Sequence, residues 1–339
     1  MESKNSLQKR LSLAEYQEGI LAGNKVIVAK AITLVESSLP EDAALAEQLI
    51  EDLLPHTGNS LRLGITGVPG VGKSTFIETF GKYLTAQKKK VAVLAIDPSS
   101  TKTKGSILGD KTRMEELAKD PFAFIRPTAT GQALGGVANR TREAMILCEA
   151  AGFEIIIIET VGVGQSETLV RSMVDFFLLL MLAGAGDELQ GIKKGIMEMA
   201  DGIVITKADG ENLRKATQAQ ADFQYALHLF QLPESGIAPN VLTSSAFEKK
   251  GIAETWKMIE DYKKFTNQNN FFQTNRNQQN LKWFDESFNH AWKTMLSSNN
   301  DFQKEKKELE KKILENKITP IQAAKSLLKK SILFASPKN

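Results

Sequence analysis

The sequence feature that most constrains the fold is a glycine-rich segment that directly follows a short apolar run. The run occupies residues 61–66, and the segment after it reads Gly67-Val68-Pro69-Gly70-Val71-Gly72-Lys73-Ser74-Thr75, which fits the pattern G-x-x-x-x-G-K-[ST]. Glycines allow a backbone to turn its N–H groups inward around a phosphate, and a helix that begins after the turn points its positive end at the same anion. The pattern therefore predicts a strand, a phosphate-binding loop (P-loop) and a helix in succession.

Short apolar runs continue to alternate with helix-like segments as far as about residue 265. They occupy residues 61–66, 91–96, 155–158, 176–182, 203–206 and 241–242. Such alternation is typical of the α/β class, in which helices cover both faces of a mostly parallel sheet. We therefore expect a P-loop NTPase domain at residues 59–266.

The N-terminal flank carries apolar positions at helical spacing. Asn24, Pro40 and Gly58 supply the breaks between helices. We expect residues 1–58 to form an N-terminal helical extension.

The C-terminal flank begins with a strongly polar stretch. Between Asn267 and Asn280, ten of the fourteen residues are Asn or Gln, which bury too little apolar surface to pack, so we interpret the stretch as a linker. Beyond it, an aromatic stripe needs a partner surface, either the main domain or a second copy of the chain. Its members are Trp283, Phe284, Phe288 and Trp292. We expect residues 267–339 to be a linker followed by a C-terminal helical arm.

Composition and charge argue against several classes of protein. Lys plus Arg outnumber Asp plus Glu by 43 to 40, so neither nucleic acid nor an anionic membrane is expected as a partner. The most apolar run, residues 176–182, is far shorter than the roughly 20 residues that cross a bilayer. The single cysteine, Cys148, precludes an intrachain disulfide and suits a reducing compartment. Since no targeting segment is visible, we expect a cytoplasmic location.

Phosphate and magnesium ligands can be assigned from the P-loop and the strand ends near it. Lys73 would bridge the β- and γ-phosphates, and the Ser74 hydroxyl would bind Mg²⁺. Asp97 ends the next predicted strand, and Asp110 lies in the loop that follows. Carboxylates at strand ends on the phosphate side supply the hard oxygen ligands that Mg²⁺ prefers, so both are candidates. The nucleotide-binding residues predicted here are Gly67, Gly70, Val71, Gly72, Lys73, Ser74 and Thr75.

A third strand ends in Glu159-Thr160-Val161-Gly162, where GTPases usually carry Asp-x-x-Gly. The sheet would deliver Glu159 next to the magnesium ion, and the Gly162 N–H would sense the γ-phosphate. Val163 stands where Ras-like proteins place the glutamine that orients the attacking water. We therefore expect slow intrinsic hydrolysis and a further group that completes the site, with Gln165 as one possible substitute.

The segment Thr206-Lys207-Ala208-Asp209 matches the guanine signature N-K-x-D except for its threonine. A carboxylate at Asp209 accepts from the ring N–H and the exocyclic amine of guanine, a donor pair that adenine lacks. Lys207 belongs to the same signature. After the last strand, Ser244-Ser245-Ala246 would offer backbone N–H groups to the guanine carbonyl. GTP and GDP are the expected ligands.

Three longer stretches, residues 98–114, 159–165 and 184–195, resemble segments of one known family: its first switch, its second switch and an additional switch particular to it. The family that they resemble is the methylmalonyl-CoA-mutase-associated GTPases, often labelled MeaB or ArgK. The resemblance extends from about Leu13 to Phe265.

The resemblance implies a G-protein chaperone for an adenosylcobalamin-dependent acyl-CoA mutase. It implies GTP-gated cofactor delivery, protection of the mutase, a cobalamin adenosyltransferase as a further partner, and a homodimer built by the C-terminal arm. It also places Lys73 and Glu159 in catalysis, together with Gln190 and Lys193 of the additional switch.

Alternatives from other classes remain open. A nickel-inserting GTPase would need soft or imidazole ligands for the metal. The available residues, Cys148 and the three histidines, are widely spaced in the sequence, which argues against such a site. A protein kinase would need a base at an acceptor site. A nucleotide-binding scaffold would show no turnover.

Overall fold

The computed structural model describes residues 10–37, 39–97, 114–129, 134–160, 166–184 and 194–334. Within them, seven parallel strands form one sheet in the order β3-β2-β4-β1-β5-β6-β7. The strands are β1 (Leu61–Gly67), β2 (Val91–Asp97), β3 (Ala123–Ala129), β4 (Ile155–Thr160), β5 (Phe176–Leu182), β6 (Gly202–Thr206) and β7 (Asn240–Thr243). The α/β prediction is confirmed, and the predicted strands end within one or two residues of the observed ones.

Strand β3 is the one that the sequence pattern did not indicate. It contains Arg126 and Pro127 and lies at the edge of the sheet, beside β2. A proline is tolerated there because the outer side of an edge strand has no ladder hydrogen bond to lose. The Arg126 guanidinium contacts the Glu36 carboxylate at 3.0 Å. Edge position therefore explains why β3 lacks the apolar character of the inner strands.

Helices cover both faces of the sheet. They are α4 (Lys73–Ala86), α5 (Glu115–Ala118), α6 (Leu134–Ala150), α7 (Ser166–Arg171), α8 (Lys194–Met199), α9 (Leu213–Leu227) and α10 (Ile252–Gln268), preceded by α1 (Leu13–Leu21), α2 (Lys25–Glu36) and α3 (Pro40–Leu53). One apolar core joins Phe76 and Phe80 of α4 to Trp256 of α10. The other joins α2, α3 and α6 through side chains such as Ile32 and Leu49.

The predicted N-terminal helices are confirmed, with the predicted breaks. The Asn24 side chain accepts hydrogen bonds from the first turn of α2, at 3.0 and 3.3 Å, and Pro40 is the first residue of α3. These helices share a core with α6, in which Cys148 is fully buried. Burial raises the pKa of the Cys148 thiol, so this cysteine acts as a small apolar side chain of the core.

The interpretation of residues 267–280 as a linker was wrong. Helix α10 continues to Gln268, and α11 (Phe271–Ser298) begins three residues later. The Gln279 amide donates to the Val174 carbonyl at 2.8 Å, and Arg276 is buried in an ion pair with Asp175. The composition gave the wrong prediction because buried polar side chains such as Arg276 can hold a helix in place through an ion pair and hydrogen bonds, without burying apolar surface.

The chain divides into two compact units, residues 1–279 and 280–339. In the second unit, α12 (Asn300–Leu314) contacts α13 (Pro320–Phe334), with Leu309 and Ala323 buried. The helical character expected for this flank is thereby confirmed. In the described part of the chain, no helix is both long and apolar enough to span a bilayer.

Candidate functional site

The P-loop follows the central strand of the sheet, and the predicted succession of strand, loop and helix is confirmed. It connects β1, which is paired with β4 on one side and β5 on the other, to the start of α4. Gly67 has φ 157°, and a Cβ there would lie 2.5 Å from the Leu180 carbonyl oxygen. Gly70 and Gly72 also take positive φ values, 80° and 90°. These positions need glycine because other residues would be strained or would clash.

Lys73 is the first residue of α4 and points back into the loop. Its Nζ donates to the Gly67 carbonyl at 2.7 Å. Burial lowers the pKa of Lys73, while the negative charges of Glu159 and Glu167 act in the opposite direction. The ammonium group therefore lies where a bound phosphate chain would meet both the helix N-terminus and a cation.

Ser74 and Glu159 come together from neighbouring elements. The Ser74 hydroxyl, in the first turn of α4, donates to the Glu159 carboxylate at 3.2 Å. Glu159 stands opposite Ile65 in the β1–β4 register and is 5% exposed. A hydroxyl and a carboxylate held side by side are hard oxygen donors, so this pair fits a magnesium ion. A Thr160–Thr66 hydroxyl contact of 2.8 Å joins the two strand ends.

Some predicted residues are only partly covered by the structure. Asp97 is the last residue of β2, where Ile96 pairs with Thr160 of β4. The Asp97 backbone therefore lies at the carboxyl ends of the strands, as Glu159 does. The Asp97 side chain falls outside the described residues. So do five other predicted site residues, which are Asp110, Gly162, Gln165, Gln190 and Lys193.

The predicted guanine segment begins at the last residue of β6, a strand that lies two positions from the P-loop strand in the sheet. Lys207 has φ 56° and donates from Nζ to the Gly70 carbonyl at 2.9 Å. Asp209 is half-buried, and the Ser245 hydroxyl donates to its Oδ2 at 2.5 Å. The contact orients the carboxylate while leaving Oδ1 available as an acceptor. The structure thus brings Asp209 and Ser245 together.

The prediction that the backbone N–H groups of Ser244, Ser245 and Ala246 donate to the guanine carbonyl can be kept for only one of the three residues. The Ser244 N–H donates to the Ile205 carbonyl at 2.8 Å, and the Ser245 N–H donates to the Lys250 carbonyl at 3.0 Å. These two N–H groups are therefore used within the protein. Ala246 is the member of the triplet that we retain as the donor to a guanine carbonyl.

Two contributors to the site were missed by sequence reasoning. Glu167, on α7, is buried, and its negative charge opposes the lowering of the Lys73 pKa that burial causes. The Ser245 side chain, rather than its backbone, supports Asp209. No motif spacing marks either role, because both depend on how separate loops meet in three dimensions.

The chain is similar to known proteins over most of its length. The family described as "Methylmalonyl Co-A mutase-associated GTPase MeaB" matches residues 28–301. "GTPase ArgK" of Escherichia coli (strain K12) is 49% identical over 293 residues, which are 86% of this chain and 88% of that protein. "Methylmalonic aciduria type A homolog, mitochondrial" of Mus musculus is 42% identical over 321 residues, 92% of this chain and 77% of that protein.

A solved structure agrees with the sequence relatives. "Crystal structure of LAO/AO transport system kinase" matches with a TM-score of 0.76 and 40% identity, covering 96% of this chain and 99% of that one. The family match and these identities confirm the resemblance that the motifs indicated. The chain belongs to the methylmalonyl-CoA mutase-associated GTPase (MeaB) family of P-loop GTPases.

Proposed function

We propose that this protein is a GTP-hydrolysing chaperone of an adenosylcobalamin-dependent acyl-CoA mutase, with methylmalonyl-CoA mutase as the first candidate. In this proposal, GTP binding and hydrolysis gate loading of adenosylcobalamin and protect the mutase from inactivation. GTP binding is supported by one observation: Lys73, the Ser74–Glu159 pair and the oriented Asp209 all lie at the carboxyl ends of the parallel strands. The family description supports the mutase part.

Each residue of the site has a defined part in holding the nucleotide. Lys73 and the N-terminus of α4 offset the charge of the β- and γ-phosphates. Ser74 and Glu159, with Asp97 and Asp110, would hold Mg²⁺, which neutralises charge on the phosphate oxygens when bound. Asp209 accepts from the two guanine donors and so selects GTP over ATP.

Hydrolysis needs a group that positions water, and the sequence has Val163 where Ras-like proteins have glutamine. We propose that Gln190 and Lys193 complete the site when the mutase binds. Slow intrinsic hydrolysis and partner-stimulated hydrolysis follow from that arrangement. Lys193→Ala should then reduce the stimulation by the mutase, and equal stimulation of variant and wild type would remove Lys193 from the mechanism.

Homodimerisation through the C-terminal arm is part of the proposal. Leu281, Phe284 and Phe288 of α11 recur at i, i+3 and i+7, and they are 67%, 66% and 59% exposed. The two phenylalanine rings stack with centroids 6.4 Å apart. Since exposed apolar stripes of this kind mark interaction surfaces, we propose that a second copy covers this one. Sedimentation of Phe284→Glu/Phe288→Glu should show a shift towards monomer, and an unchanged mass would contradict it.

Nucleotide turnover in the presence of the partner is the main test. Calorimetry should detect tight binding of Mg²⁺–GTP to the wild type and to Lys215→Ala, a control at an exposed lysine of α9, but not to Lys73→Ala. Phosphate release should rise when purified methylmalonyl-CoA mutase is added. Absence of heat with wild type would overturn the nucleotide assignment, and absence of release in both conditions would favour a binding scaffold.

Two alternatives predict different results. The solved relative's description as a transport system kinase makes protein phosphorylation worth testing. ATP-dependent transfer of phosphate to a protein acceptor would favour it over the chaperone proposal. A nickel-inserting role has less support, because Cys148 is fully buried in the core and so cannot serve as a thiolate ligand at the surface.

A further inference from the structure

Thr206 is the residue at which this chain departs from the guanine signature, and its side chain contacts the P-loop. The residue ends β6 and is 5% exposed. Its Oγ1 lies 2.7 Å from the Val71 carbonyl oxygen and 3.2 Å from the Met181 carbonyl oxygen. A hydroxyl carries one proton, so the shorter contact defines the hydrogen bond that Thr206 donates.

The next residue makes a parallel contact. Lys207 donates from Nζ to the Gly70 carbonyl at 2.9 Å. Asn212 supports this arrangement, because its side-chain amide donates to the Lys207 carbonyl at 2.7 Å. Two consecutive residues of the base segment therefore donate to two consecutive carbonyls of the P-loop.

The Val71 carbonyl lies in a part of the loop that depends on such support. Val71 stands between Gly70 and Gly72, which both have positive φ values, and the whole residue is only 1% exposed. A buried carbonyl that loses its hydrogen-bond donor stays shielded from water without a partner, which destabilises the conformation that buries it. Removal of the Thr206 hydroxyl should therefore loosen the P-loop rather than the base pocket alone.

We propose that Thr206 is a positioning residue: its hydroxyl joins the base-recognition segment to the P-loop, and it does not contact the guanine. The inference rests on the proposed GTP-binding function. An asparagine has two amide protons and can serve a loop carbonyl and a base together, whereas the single proton of Thr206 is already committed to Val71. Thr206 then controls how long any guanine nucleotide stays bound, while Asp209 controls which base is selected.

The test compares Thr206→Val, which keeps the shape and loses the hydroxyl, with Thr206→Ser, which keeps the hydroxyl. Release of fluorescent GDP and GTP is followed by stopped flow in the presence of Mg²⁺. We expect Thr206→Val to release both nucleotides faster by a common factor of about tenfold, and Thr206→Ser to stay within about twofold of wild type. The preference for GTP over ATP should not change.

Affinity for 7-deaza-GTP separates positioning from base contact, because this analogue lacks the ring nitrogen that a side-chain donor could reach. We expect Thr206→Val to weaken GTP and 7-deaza-GTP binding by the same factor. A factor that disappears with 7-deaza-GTP would show direct base contact and overturn the inference. Release from Thr206→Val at the wild-type rate would overturn it as well.

Controls keep the result interpretable. Melting temperatures of all variants verify folding, and Thr206→Ala, which is smaller and cannot clash, replaces Thr206→Val if the valine variant does not fold. Failure of wild type to bind GTP would refute the proposed function. Normal binding by wild type with unchanged release from the valine and alanine variants would refute this inference alone.

Discussion

Arg276 and Asp175 form a buried, bidentate ion pair with two hydrogen bonds. Arg276 Nε and Nη2 donate to the two carboxylate oxygens of Asp175, each at 2.7 Å. The guanidinium also donates to the Gly58 and Ser60 carbonyls, and Asp175 accepts from the Arg62 N–H at 2.8 Å. The start of α11 is therefore bonded to the segments that lead into β1 and β5, the strand of the P-loop and its neighbour.

Arg276→Met should destabilise the protein strongly. The substitution leaves the Asp175 carboxylate buried, at 1% side-chain exposure, without its cation. Breaking a buried pair in this way costs about 3–5 kcal/mol of unfolding free energy. Urea denaturation measures the loss, and Lys264→Met, at an exposed lysine of α10, serves as the control. An equal midpoint for Arg276→Met and the control would contradict a stabilising role of the pair.

Glu159→Gln should weaken magnesium binding in the nucleotide complex. The change removes one negative charge beside Ser74 and keeps the shape of the side chain. A contact between charges near a protein surface is worth about 1–4 kcal/mol, so the Mg²⁺ concentration that supports GTP binding should rise by about tenfold or more. Titration of Mg²⁺ against GTP binding measures the shift. Glu51→Gln on α3 is the control, and identical titration curves for all three proteins would exclude Glu159 as a ligand.

Asp209→Asn should change which base is preferred. The variant replaces a pure acceptor by an amide whose N–H₂ donates, which no longer matches the exocyclic amine of guanine but matches the carbonyl of xanthine. GTP affinity should fall about 100-fold because two charge-assisted hydrogen bonds are lost, and affinity for xanthosine triphosphate should rise. Competition binding measures both, with Asp222→Asn on α9 as control. Retention of GTP preference by Asp209→Asn would contradict the assignment.

Glu143 should make stability depend on pH. Burial raises the pKa of Glu143 on α6 from 4.5 to about 7, with Glu47 acting in the same direction and Arg140 against it. The folded state then binds more protons than the unfolded state between these values, so stability falls as pH rises from about 4.5 to 7 and is constant above.

Glu143→Gln lacks this titration, so the variant should gain stability relative to wild type as pH rises. The gain should reach about 3 kcal/mol above pH 7 and be small near pH 4.5. Unfolding free energies across this pH range measure it. Glu47→Gln should remove part of the wild-type dependence, since it deletes the neighbouring like charge. Parallel stability curves for wild type and Glu143→Gln would contradict the prediction.

Local patterns explain why much of the fold was predictable. The P-loop strand was predicted because its apolar run and glycines are contiguous, and each glycine meets a backbone requirement of its own turn. Strand β3 was not predictable in this way, because an edge strand with Arg126 and Pro127 lacks apolar periodicity. The Asn- and Gln-rich segment was misread because its stability comes from Asp175, which lies 101 residues from Arg276 in sequence.

The sequence by itself determined the alternation of helices with every strand except β3, the phosphate and base motifs and the family, because these depend on the spacing of neighbouring residues. Only the tertiary structure decided that Thr206 contacts Val71, 135 residues away, that Ser245 orients Asp209, and that Arg276 is buried. The physical reason is that a hydrogen bond depends on distance and direction in space, and packing of the sheet sets both between residues whose separation in sequence carries no periodic signal.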